Sequence, residues 1–459
     1  MSNQGSTTAN PRQAACSVLL RIKKTGSHAD RLMDSELDAD RLSGPDRGLF
    51  TELVLGVLRR QGTLDHILSQ LLDQPISKLE PQVLTLLRLG LYQLVYLDRI
   101  PESAAVNESV NLAKQTIPRA AGLVNAVLRN YLRRKDTITF PELAANPVAA
   151  IATRHSHPEW LVRQWLDQLG PADAEQLAQA SSRQPPLTLR VNSLRTTRDE
   201  LLGRFSENNI SASPCQHSPL GIQVAGRHPV TGLPGFREGL FVVQDEASQM
   251  VSFLLAPLPG ERVLDACAAP GGKATHLAQL MDNQGELLAM DIAGSKLPLI
   301  QETAQRLGIG IINTRVADLL QAGAFPANAF DRVLLDAPCT GLGVIRRNPE
   351  AKWRITPADV TRLAIGQKAM LKNAAKLLRP SGTLVYSTCS TTLEENELVV
   401  QDFLSHHPDF VLEKLDELFP EYQDLFTPEG MFRAWPHHHG MDGFFAARMR
   451  KTDRREGCL

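Results

Sequence analysis

Apolar residues recur at helical spacing through the first third of the chain. In Asp46–Arg60 the residues Leu49, Leu53, Val54 and Val57 fall on one stripe. Val83–Tyr96 is apolar on nearly every side, which predicts the central helix of a bundle. Pro101–Lys114 and Gly122–Leu132 predict two more helices, so Pro11–Lys135 reads as helical throughout and an all-α domain is expected over residues 1–140. The next stretch, punctuated by Pro141, Pro147, Pro158 and Pro171, reads as looser. Strand-like runs at Leu187–Asn192, Gly221–Val224 and Gly239–Gln244, with a short helix at Asp199–Phe205, predict a small α+β module over 147–244. From Asp245 the pattern alternates. Strands are expected at Arg262–Ala266, Glu286–Met290, Ile311–Arg315, Arg332–Leu335 and Thr383–Tyr386, with helices between them and Gly443–Met449 as a final edge strand. This alternation predicts an α/β domain with a parallel, doubly wound sheet over 245–450.

A length of 459 residues exceeds one ordinary hydrophobic core and agrees with several domains. Hydrophobic residues at 43% and charged residues at 22% describe a folded chain. Six cysteines without C-x-x-C spacing give neither a zinc site nor a disulfide framework, so no metal is expected. The consecutive His437, His438 and His439 cannot share one helical face and read as a surface loop. Met1–Thr8 lacks a basic region followed by an apolar core, and no run is long enough to cross a membrane. A cytoplasmic protein without a membrane partner, monomeric by default, is the expectation. The net charge of −1 does not advertise a nucleic-acid partner, but basic residues gather locally. Arg119, Arg129, Arg133, Arg134 and Lys135 form one cluster; Arg346, Arg347, Lys352 and Arg354 form another.

The candidate chemistry lies where the predicted strands end. Asp265-Ala-Cys-Ala-Ala-Pro-Gly-Gly-Lys273 follows the first strand, and a glycine pair there lets backbone approach a ligand at a helix N-terminus. The spacing is not that of a dinucleotide-binding G-x-G-x-x-G, which disfavours an oxidoreductase. Asp291 ends the second strand, the position from which a carboxylate binds an adenosine ribose. Asp318 follows the third, where an acid can accept from an adenine amino group, and Asp265 and Asp336 extend the row. An acidic rim suits a neutral ribose and a sulfonium cation, so S-adenosylmethionine is the cofactor that fits. Cys339 and Cys389 follow the fourth and fifth strands. Either can be a small buried hydrophobe. Two thiols side by side at strand ends suit a reaction that needs both attack and later proton removal, as in methylation of a pyrimidine carbon.

These residues resemble a known family, the RNA 5-methylcytosine methyltransferases of the RsmB/NOP/NSUN type. The resemblance is carried by Asp265–Lys273, Asp336-Ala-Pro-Cys-Thr-Gly341, Tyr386-Ser-Thr-Cys-Ser390, Arg190-Val-Asn192, Gln244-Asp-Glu-Ala-Ser248 and Asp442-Gly-Phe-Phe445. It spans about Pro158 to Met449, and the N-terminal helices look like a NusB-type RNA-binding domain. The resemblance implies a Rossmann-like methyltransferase domain behind the α+β module. It also implies S-adenosylmethionine held by Ala268, Ala269, Pro270, Gly271, Gly272, Lys273, Ala274, Asp291, Asp318 and Asp336. Cys389 would be the nucleophile, Cys339 the thiol that assists release, and Asp336 the group that hydrogen-bonds the base. Cys339 as attacker is the rival assignment. No base flanks either thiol in sequence; Lys273 and the cofactor's charge are the candidates for lowering the nucleophile's pKa. The NusB-like fusion implies small-subunit (16S) ribosomal RNA as partner, with the target cytidine out of its stack and Arg346, Arg347 and the basic end of the helical domain on the phosphates. A transfer-RNA methyltransferase of the same family and a catalytically idle RNA-binding scaffold are the alternatives.

Overall fold

The computed structural model describes residues 10–38, 42, 44–226, 228–321 and 326–453; the amino-terminal stretch searched for a leader lies outside them. Two compact units divide the chain, Met1–Arg183 with Ile345–Ile355, and Gln184–Val344 with Thr356–Leu459.

The first unit is helical. It contains α1 (Pro11–Thr25), α2 (Ala29–Asp38), α3 (Gly44–Leu71), α4 (Pro81–Tyr96), α5 (Glu102–Thr116) and α6 (Ala121–Arg134). The predicted stripe lies in α3, with Leu53, Val54 and Val57 buried. The all-round apolar α4 packs against α1, α3, α5 and α6, the environment its composition demands. Two further helices, α7 (Pro147–His155) and α8 (Glu159–Ser181), correct the looser reading of this stretch. Pro147 sits in the first turn of α7, behind the Asn146 side chain that accepts from the Ala149 N–H. Pro158 is the N-cap of α8. A missing N–H costs little at either place. Pro171 alone lies inside a helix, beside a kink at Gly170 (φ 77°).

The second unit holds two sheets. β1 (Leu187–Val191), α9 (Arg198–Glu207), β2 (Ala212–Pro214), β3 (Gly221–Val224) and β4 (Phe241–Val243) make an antiparallel sheet of order β2-β3-β1-β4. Leu189 lies opposite both Ile222 and Val243. With Val191, Phe205 and Phe241 it forms a small core. A capping box between Thr197 and Glu200 starts α9.

The larger sheet follows α10 (Glu246–Leu255). Its elements begin with β5 (Arg262–Asp265), α11 (Gly272–Leu280), β6 (Glu286–Asp291), α12 (Leu297–Leu307), β7 (Ile312–Val316) and β8 (Phe330–Asp336). Residues Ile345–Ile355, including α13 (Ala351–Arg354), then belong to the helical unit. The chain continues through α14 (Pro357–Leu377), β9 (Leu378–Thr388), α15 (Glu397–His406), β10 (Phe410–Leu412), α16 (Leu415–Leu418), β11 (Phe432–Ala434), α17 (Pro436–His439) and β12 (Phe444–Lys451). The order is β10-β12-β9-β8-β5-β6-β7, with β11 also paired to β12. β5 to β9 run parallel, whereas β12 is antiparallel to β9. β12 is therefore not the edge strand expected, because the three-residue strands β10 and β11 cover it. The three histidines form the one-turn helix α17 instead of a loop.

From β5 the chain moves outward through β6 and β7, then returns to β8 on the other side of β5. That reversal opens a crevice beyond the strand ends, the usual ligand position in such sheets. The thiol loops and the acidic row lie at these ends. This is the Rossmann-like architecture that the sequence implied, following an antiparallel module and a helical domain in chain order.

Candidate active site

The loop after β5 turns on Gly271, whose φ of 102° is a conformation that L side chains rarely adopt. A β-carbon there would also meet Ile300 at 3.1 Å. The Ala269–Pro270 peptide is cis. Ala268 and Ala274 bury their methyl groups in the core, so this stretch offers a ligand mainly backbone. Arg190 of β1, fully buried, braces it from behind by donating to the Gly272 carbonyl (2.6 Å), the Thr275 hydroxyl (3.0 Å) and the Gln244 side chain. Asn192 ties the same strand to the Gly239 and Leu307 carbonyls and accepts from Gln279.

The acids take distinct places. Asp291 accepts from the Ala269 N–H (3.1 Å) and the Ala293 N–H (2.8 Å), which locks the end of β6 to the loop and leaves lone pairs over on both oxygens. Asp318 accepts from the Leu320 N–H (2.9 Å). Asp336 accepts from Lys273 Nζ (2.6 Å) and from the Ser387 hydroxyl (2.8 Å). Lys273 also stands over the Phe444 ring, 5.0 Å from its centre. Burial alone would push the ammonium down. Asp336, then Cys389 and Asp265, outweigh it and hold its pKa above the ordinary value. Asp265 is fully buried, and neither carboxylate oxygen has a hydrogen-bond partner. Burial, with the Asp336 charge second, pushes its pKa up to about 7.

The two thiols face each other, with Cys339 Sγ 3.3 Å from Cys389 Sγ, and both are free. The hydrogen bond to Cys389, with burial second, pushes the Cys339 thiol well above its ordinary pKa. The structure thus brings Cys339, Cys389, Asp336 and Lys273 together. Burial and the surrounding acids push the Cys267 thiol, in the same loop, up as well, as suits a packing residue.

Glu395, Ser387 and Phe444 were missed as site residues. The sequence signal for Glu395 is a cluster of hydroxyls, Ser390, Thr391 and Thr392, just before a carboxylate. Two members of the second basic cluster need correction, whereas Arg347 is only half-buried and Arg354 is exposed. Arg346 is 5% and Lys352 1% exposed within the helical unit, where Lys352 Nζ donates to the Arg59 carbonyl. Buried groups of this kind cannot reach a phosphate. Arg119, Arg129, Arg133, Arg134 and Lys135 are exposed.

A crevice with a buried, unpartnered carboxylate behind three further acids, plus a backbone-lined loop, fits a nucleoside that carries a sulfonium cation. The fold and the site together define an S-adenosylmethionine-dependent methyltransferase. The family description 16S rRNA methyltransferase RsmB/F matches residues 252–450, NusB matches 9–133, and an RsmF/B-like ferredoxin-like domain matches 157–231. The chain is 41% identical to the probable ribosomal RNA small subunit methyltransferase B of Synechocystis over 96% of its length and 99% of that protein's. It is 36% identical to the ribosomal RNA small subunit methyltransferase B of Pseudomonas putida over 98% and 100%. A solved methyltransferase homolog from Pyrococcus horikoshii superposes with a TM-score of 0.59 at 30% identity, over 67% of this chain and 99% of its own. The chain belongs to the ribosomal RNA small subunit methyltransferase B family. Among the described residues no helix is long and apolar enough to cross a membrane.

Proposed function

We propose that this enzyme methylates carbon 5 of a cytidine in small-subunit (16S) ribosomal RNA through a covalent bond between Cys389 and carbon 6 of the base. The observation that carries the reading is the thiol pair, 3.3 Å apart, with Lys273 and Asp336 beside it. Carbon 5 of cytosine is too weakly nucleophilic to take a methyl group directly. When bound, S-adenosylmethionine supplies an electrophilic methyl. The Cys389 thiolate adds to carbon 6, and the electron pair of the 5,6 double bond makes carbon 5 the nucleophile. Asp336 accepts from the base's amino group while Lys273 holds its carboxylate in place.

Cys339 changes role during the cycle. The largest cause of its raised pKa is the hydrogen bond to Cys389. That influence ends once Cys389 is a thioether, while burial and the Glu395 charge still oppose ionisation; in the proposed cycle Cys339 then passes its proton to solvent. As a thiolate it then takes the proton from carbon 5, the double bond re-forms and the Cys389 thiolate leaves. The exposed basic end of α6, with Arg129, Arg133 and Arg134, is suited to phosphate contacts.

The test uses small-subunit ribosomal RNA transcript and tritiated S-adenosylmethionine, with nucleoside analysis of the product. Wild type is expected to yield 5-methylcytidine. Cys389→Ala should lose both methylation and covalent adduct, and Cys339→Ala should accumulate adduct. Label on another atom would overturn the chemistry. Label on transfer RNA and none on ribosomal RNA would move the substrate.

A further inference from the structure

We propose that Glu395 is the positioning residue that sets the distance between the two thiols, by clamping the backbone that follows Cys339 to the backbone that follows Cys389. This rests on the two-thiol reading above. Glu395 is 0% exposed and lies five residues beyond Ser390, just before α15. Its Oε1 accepts from the Thr340 N–H (2.8 Å) and the Gln367 amide (3.0 Å). Its Oε2 accepts from the hydroxyls of Thr340 (2.5 Å), Ser390 and Thr392 (3.0 Å). Thr340 directly follows Cys339, and Ser390 directly follows Cys389. The Thr340 and Ser390 hydroxyls also approach each other at 3.1 Å.

A carboxylate that only shaped its own loop would need Ser390 and Thr392. The two bonds to Thr340, 55 residues away in sequence, have no such use. They tie one thiol loop to the other through a single rigid group. Bonds to an ionised acceptor are roughly twice as strong as neutral ones, so the carboxylate is a stiffer clamp than a hydroxyl or amide would be. Gln367 of α14 adds a third point, since its amide also donates to the Pro338 carbonyl (2.9 Å) on the other side of Cys339. The backbone on both sides of Cys339 is therefore referred to one carboxylate.

The experiment compares wild type, Glu395→Ala, Glu395→Gln and Thr340→Val in two assays. The first is chelation of the thiol pair by phenylarsine oxide, which needs both sulfurs close together and no RNA. The second is steady-state methylation. Glu395→Ala should weaken chelation at least tenfold and lower kcat by about 10²-fold, the scale of an ångström misplacement, with KM for S-adenosylmethionine unchanged. Glu395→Gln, whose amide can bond the same hydroxyls once they rotate, should restore most of the chelation. Thr340→Val cuts the clamp on one side only and should fall between. If Glu395→Ala does not fold, Thr340→Val and Glu395→Gln still decide. Wild-type chelation and kcat in Thr340→Val overturn the proposal. So does a fall in KM-linked binding with chelation intact. If chelation depends on Glu395 but no RNA adduct forms in wild type, the clamp stands and the cytosine mechanism falls.

Discussion

Replacing Gly343 with alanine strikes the seam between the two thiol loops. The Gly343 N–H donates to the Cys389 carbonyl (2.9 Å), and its own carbonyl accepts from the Gly443 N–H (2.9 Å). A β-carbon at this position would stand 1.9 Å from the Gly443 oxygen, 2.7 Å from its carbonyl carbon and 2.8 Å from the Cys389 oxygen. All three are backbone atoms, so no side chain can rotate away. Ordinary contact begins at 3.4 Å, and reaching it requires a displacement of about 1.5 Å. Both hydrogen bonds would be stretched. Overpacking and two weakened bonds together predict a loss of about 2–4 kcal/mol in stability. An ångström-scale shift of the Cys389 loop predicts a loss of about 10²-fold in kcat. The assays are urea unfolding, methylation kinetics and calorimetric titration with S-adenosylmethionine, whose binding loop lies elsewhere and should be spared. A Gly343→Ala enzyme with wild-type stability and kcat would refute the reasoning, because it would mean that the two loops need not approach as described.

Two other outcomes follow from the loop after β5 and its expected role in holding S-adenosylmethionine. Arg190→Lys removes the fork that holds Gly272, Thr275 and Gln244, leaving at least one buried acceptor unpaired; thermal unfolding should report a loss of about 2 kcal/mol, and the Kd for S-adenosylmethionine should rise. Asp265, raised to about 7 in the folded protein, binds its proton more tightly than in the unfolded chain. The stability this contributes is full below the ordinary Asp value of 3.8, falls as pH rises from there, and is gone above about 7. A cation in the crevice favours the ionised form, so S-adenosylmethionine should bind more tightly at pH 8 than at pH 6. Titration at pH 7 in buffers of different ionisation enthalpy should show release of up to about half a proton, and Asp265→Asn should abolish it.

The strands of the larger sheet and the acids at their ends were legible because buried parallel strands read as apolar runs that stop at a polar residue. The turn of the loop after β5 was legible for the same reason, with glycines marking it. α7 and α8 were not, because Pro147 and Pro158 look like breakers in sequence although each sits where a helix start tolerates proline. β10 and β11 are too short to carry an alternation, so β12 looked like an edge. Arg346 and Lys352 read as surface because charge normally is; their burial comes from the 345–355 segment lying inside the helical unit, a long-range fact that local pattern does not hold. Glu395 was invisible because its importance rests on Thr340, a partner distant in sequence.

The most direct measurement is a trap with RNA that carries 5-fluorocytidine, in which the final proton removal is blocked and the covalent complex persists. Wild type, incubated with this RNA and S-adenosylmethionine, would be digested and the cross-linked peptide sequenced by mass spectrometry. The mechanism predicts the nucleotide on Cys389, retained in Cys339→Ala and absent from Cys389→Ala. A nucleotide on Cys339, or a trapped complex that survives Cys389→Ala, would contradict it.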